Sequence, residues 1–86
     1  MMEKPSNTPL RRIFQAMQYG FEQNERNKKM ASIIGTMVWY VRNDKFGEDD
    51  ALFIVDTIAK QCNPPMEQEE WEVIWNRVVT KANQNL

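Results

Sequence analysis

The run Cys62-Asn63-Pro64-Pro65-Met66 constrains this chain more than any other stretch. Neither proline offers an amide hydrogen, and the ring of Pro64 disfavours the helical conformation at Asn63, so a helix arriving from the N-terminal side ends near Cys62. The acidic run Glu67-Gln68-Glu69-Glu70 follows at once and suits the positive end of a helix dipole. Behind it Trp71, Ile74, Trp75, Val78 and Ala82 recur at helical spacing. The expectation is two helices meeting at a sharp corner.

Upstream the same period repeats. Thr8 is placed to cap a first helix over about residues 9–23, with Pro9 at its first position and Leu10, Ile13, Phe14, Met17 and Phe21 as its apolar stripe, weakened modestly by Gly20. The polar run 24–27 reads as a turn, with Asn27 capping a second helix over 27–43 whose stripe is Met30, Ile33, Ile34, Met37, Val38 and Val41. Gly47 and the acids 48–50 open a third over 48–62, carrying Ala51, Leu52, Val55, Ile58, Ala59 and Cys62, and the fourth spans 67–83. No segment alternates with period two. The fold expected is therefore all-α, a small four-helix bundle in one domain over 9–86, preceded by a flexible lead at 1–8.

Composition excludes several function classes. One cysteine forms no internal disulfide, and a chain without histidine lacks both the usual zinc ligand and the usual general base. Nucleophile-elbow, phosphate-loop and dinucleotide fingerprints are missing as well. The acidic clusters at 48–50 and 67–70 both open helices, which explains them without a metal. A non-enzymatic protein without a cofactor is the expectation. No apolar run approaches the length of a membrane span or a secretory leader, so a cytoplasmic setting with no membrane contact is expected.

Charge is unevenly spread. Residues 1–45 carry eight basic and four acidic residues, whereas residues 46–86 carry three and eight. Attraction between the halves within a bundle and a cationic binding face are both consistent with this pattern. A helix-turn-helix regulator is disfavoured, because the third helix opens on three acids and brings only Lys60 toward DNA phosphates.

At 100° per residue, four apolar side chains point away from their stripes: Tyr19, Trp39, Phe53 and Val73. Trp39 shares its helical face with Lys28, Ser32, Gly35 and Arg42. Cations around an outward indole suit single-stranded nucleic acid, with phosphates on the cations and a base stacked on the ring. They equally suit a protein interface anchored on tryptophan. A helix covered on two sides would instead make Trp39 ordinary core, and single exposed aromatics such as Tyr19 and Phe53 are common on soluble proteins. Candidate nucleic-acid contacts are Arg26, Lys28, Lys29, Trp39, Arg42 and Lys45. Candidate partner contacts are Trp39, Phe53 and Tyr19.

The order of elements also resembles a known family. Glu25-Arg26-Asn27 opening an apolar helix, Gly47-Glu48-Asp49-Asp50 opening the next, then Cys62-Asn63-Pro64-Pro65-Met66 and Glu69-Glu70, is similar to the primase C-terminal module, over about residues 24–82. The resemblance implies a small helical domain that accompanies primase-polymerase catalytic domains in phages, plasmids and other mobile elements and helps hold template and initiating nucleotide. This chain departs from that arrangement: it carries no catalytic domain, and a helix at 9–23 stands where one would connect. No catalytic residue is carried over. The expectation is an accessory subunit that binds a DNA polymerase or primase and contacts single-stranded DNA template through the complex. The alternatives are a pure protein-interaction module and a small phage or mobile-element regulator.

Overall fold

Four helices form, each around one of the apolar stripes. The computed structural model describes residues 9–84 and contains α1 (Pro9–Tyr19), α2 (Gln23–Arg42), α3 (Glu48–Gln61) and α4 (Gln68–Gln84). They make a small four-helix bundle in which α2 packs on α4 and α3, while α1 packs chiefly on α3. Among the described residues no strand forms, and a single parallel bridge joins Glu22 to Asn63. The expected lead at 1–8, with its Thr8 cap, lies outside the described residues.

The core is built from the stripes of α2, α3 and α4. Met30, Ile33, Ile34, Met37 and Val38 of α2 meet Ala51, Val55, Ile58 and Ala59 of α3 and Trp71, Ile74 and Trp75 of α4, all buried. Cys62 belongs to this core and gives its thiol to the Ile58 carbonyl at 3.3 Å. Burial pushes the thiol above its ordinary pKa, as expected of a cysteine serving as a small hydrophobe.

Two boundaries differ from expectation by several residues, each for a local reason. The first helix stops at Tyr19, because Gly20 takes φ +66° and donates its amide to Ala16 O at 2.7 Å, the left-handed stop that glycine adopts at little cost. The second then starts at Gln23, so the polar run 24–27 is its first turn and Asn27 is not its cap. Its far end closes with Asp44 at φ 59°: Lys45 N donates to Tyr40 O (2.8 Å) and Asp44 N to Val41 O (3.1 Å), a Schellman pattern.

The stripe of α1 is also used differently. Ile13 and Ala16 face the core, but Leu10 and Phe14, expected inside, are exposed, Phe14 by 62%. The helix meets α3 along its Ile13–Ala16 side, and no described element covers the Leu10–Phe14 side.

The proline corner is pinned from two directions. Asn63 N donates to Phe21 O at 3.0 Å, and Gly20 lies so close that a Cβ there would collide with the Gln61 carbonyl and stand 2.6 Å from Cys62 N. From α2, Arg26 donates through Nη1 to Pro64 O at 3.0 Å and through Nη2 to Glu70 Oε2 at 3.2 Å. Glu70 in turn accepts the Glu67 amide at 2.8 Å, which gives the start of α4 the returning half of a capping box.

Candidate functional site

Helical geometry carries Lys28, Ser32, Gly35 and Trp39 up one side of α2, with Arg42 on its flank, opposite the buried Met30–Val38 stripe. The structure leaves this side open. Trp39 is 56% exposed, and a Cβ built on Gly35 meets nothing within 4 Å. The indole is nevertheless held: its ring packs edge-on against Tyr40 at 5.5 Å, and Tyr40 leans on Phe46 at 5.1 Å. Ser32, Gly35, Thr36, Trp39 and Tyr40 line a shallow groove of about 490 Å³.

A second groove, of about 400 Å³, adjoins the first through their common residue Ser32. It runs between α1 and α2 with Ala16, Phe21 and Ile33 among its apolar lining and Arg12, Gln15, Tyr19 and Lys29 among its polar lining. Arg12 reaches across to Ser32 Oγ at 3.1 Å, and Lys29 Nζ stands 5.9 Å from the Phe21 ring centroid. Tyr19 and Trp39 therefore lie along one continuous surface that carries cations and no acid in its lining.

The cations chosen from the sequence are not equivalent. Arg26 is only 13% exposed and donates into the proline corner, where it clamps the fold instead of facing outward with the other candidates. Arg42 is exposed but donates to Asn83 Oδ1 at 2.9 Å, tying the C-terminal ends of α2 and α4 together. Lys29 pairs with Glu25 at 2.8 Å, one turn back, and its ammonium holds the Glu25 carboxyl below the usual carboxylate range. Lys28 and Lys45 are exposed and make no ion pair with another described residue.

Phe53 lies apart from this surface. It is 68% exposed on α3, in a groove that shares no residue with the other two and whose rim is acidic. Val73 is exposed alone on α4, without a groove.

Sequence reasoning found the Trp39 face, Ser32 included, but missed Arg12, Gln15 and Phe21 as parts of the same surface. The helical wheel of α1 does place Arg12 and Gln15 beside Tyr19; what no wheel supplies is that this face turns toward α2. Among the described residues no helix is long and apolar enough to cross a membrane, and no group of three or more cysteine, aspartate or glutamate residues comes together to hold a metal. Comparison of the chain with protein-family models, with curated proteins and with solved structures gives no match.

Proposed function

We propose that this chain is a non-catalytic accessory protein of DNA replication, which binds a DNA polymerase or primase and offers a cationic, aromatic surface to single-stranded template while a primer is started. The observation that carries the reading is the outward Trp39, held on edge by Tyr40 with Lys28 and Arg42 on the same side of α2. A base stacked on such an indole contributes about 1–3 kcal/mol, and the flanking cations take phosphates. The likeness of residues 24–82 to the primase C-terminal module supplies the replication context. Template contacts come from Lys28, Lys29, Trp39, Arg42 and Lys45, extended by Arg12 in the adjoining groove.

Three of the six candidates, Arg26, Lys29 and Arg42, already have polar partners within the chain, which supports a second reading: a protein-interaction module anchored on Trp39 and Tyr19. Salt separates the two. With two or three phosphate contacts, log K for a labelled single-stranded oligonucleotide falls by about 1.4–2 per log unit of salt. Lys28→Glu with Arg42→Glu weakens binding and flattens that slope. Binding that is absent, or indifferent to salt and to both substitutions, with and without the polymerase or primase, leaves the protein-interaction reading in its place.

A further inference from the structure

The groove that holds Phe53, between α3 and the start of α4, takes no part in the Trp39 surface and measures about 630 Å³. Its apolar lining runs from Met66 and Trp71, both buried, through half-buried Leu52 to Phe53, which is 68% exposed. Trp71 also carries a buried Nε1–H that meets no acceptor among the described residues, a rare condition for a donor in a native interior.

Charge sets this groove apart from an ordinary apolar patch. Asp49, Asp56, Glu67 and Glu72 border it against one cation, Lys60, which Asp56 already engages at 2.9 Å. The helix dipole accounts for Asp49 and Glu67, at the starts of α3 and α4, but its influence fades within the first turn and does not reach Asp56 or Glu72. Glu72 accepts an amide hydrogen of Gln68 at 2.7 Å, yet neither it nor Asp49 nor Glu67 has an ion-pair partner among the described residues. Apolar lining and uncompensated negative charge therefore meet in one concave place.

We propose that this groove seats a short cationic, amphipathic segment of a partner protein, with apolar side chains against Leu52 and Phe53 and lysines or arginines along the acidic rim. A groove of this size takes a few side chains and not a folded surface. Carboxylates on the rim repel phosphate, so nucleic acid is the wrong class of ligand for it, whereas a cationic chain is both steered toward it and neutralised by it. The proposal stands apart from the reading of the Trp39 face, whose lining residues it does not use.

The test is a display selection from a library of short random peptides, with the full chain as bait. Enriched sequences combine aliphatic or aromatic residues with several lysines or arginines. The leading peptide, synthesised with a fluorescent label, binds wild type in an anisotropy titration and binds more weakly as salt rises. Phe53→Ser weakens that binding by about tenfold. Asp49→Asn with Glu72→Gln weakens it severalfold and flattens the salt dependence, and both variant proteins keep the helical circular dichroism of wild type. A selection that enriches nothing, peptides without excess positive charge, or binding indifferent to Phe53→Ser and to the neutralised rim overturns the proposal. So does self-association of wild type that Phe53→Ser abolishes, which would give the groove to a second copy of this chain.

Discussion

The proline corner and the outer side of α2 use the same kinds of residue to opposite ends. At the corner a glycine sits where any side chain collides with Gln61, an arginine spends its donors on Pro64 and Glu70, and a tryptophan, Trp71, lies in the core. On α2 the glycine has open space, Lys28 has no ion-pair partner among the described residues, and the tryptophan is mostly in solvent. The residues at the corner are packed against their own chain, although Arg26 Nε and Trp71 Nε1 are buried with no partner among the described residues. On α2 the indole of Trp39 meets only the edge of Tyr40, and a helix-interior glycine forgoes about 0.5–1 kcal/mol relative to alanine. The corner is built for the fold, and the proposed binding face rests on the exposure of α2.

The largest effect belongs to Gly20→Ala. A Cβ there meets the backbone of Gln61 and must also take φ +66°, so the α1–α2 link and the corner have to separate, at a cost of about 3–5 kcal/mol in denaturant unfolding. A loss under about 1 kcal/mol would show that the contact between these segments is slack and would break the contrast. Arg26→Ala comes next. It removes charge-assisted bonds to a carbonyl and a half-exposed carboxylate, and a loss of about 2–3 kcal/mol is expected by the same measurement. Gly35→Ala reverses the sign: with nothing near its Cβ, stability rises by about 0.5–1 kcal/mol. Destabilisation at Gly35 would mean that this side of α2 is packed after all.

How far the sequence foretells this structure follows from what periodicity encodes. The stripes of α2, α3 and α4 each run for several turns and each is covered, so these helices, their core and the outward direction of Trp39, Phe53 and Val73 follow from spacing alone. The stripe of α1 has the same clarity and yet leaves Leu10 and Phe14 in solvent, since a pattern names an apolar side without saying what covers it. Gly20 reads as a weak point inside a helix until its amide is seen closing on Ala16, and the two readings differ by a sign of φ that sequence does not display. The start of α2 was obscured by Asn24 and Asn27, poor helix formers whose turn is held by the anchoring of Arg26 across the corner. The groove between α1 and α2 depends on how two helices lie relative to each other, and that belongs to tertiary packing.

Whether Trp39 serves binding or folding is decided by Trp39→Ala. Trp71 and Trp75 are buried, so the exposed indole of Trp39 is the fluorophore that added single-stranded oligonucleotide reaches. If the indole serves binding, the wild type shows quenching that disappears in the variant, oligonucleotide affinity falls about tenfold, and the unfolding free energy stays within about 0.5 kcal/mol of wild type. Unchanged affinity, or a stability loss of the several kcal/mol typical of a core tryptophan, would contradict that role.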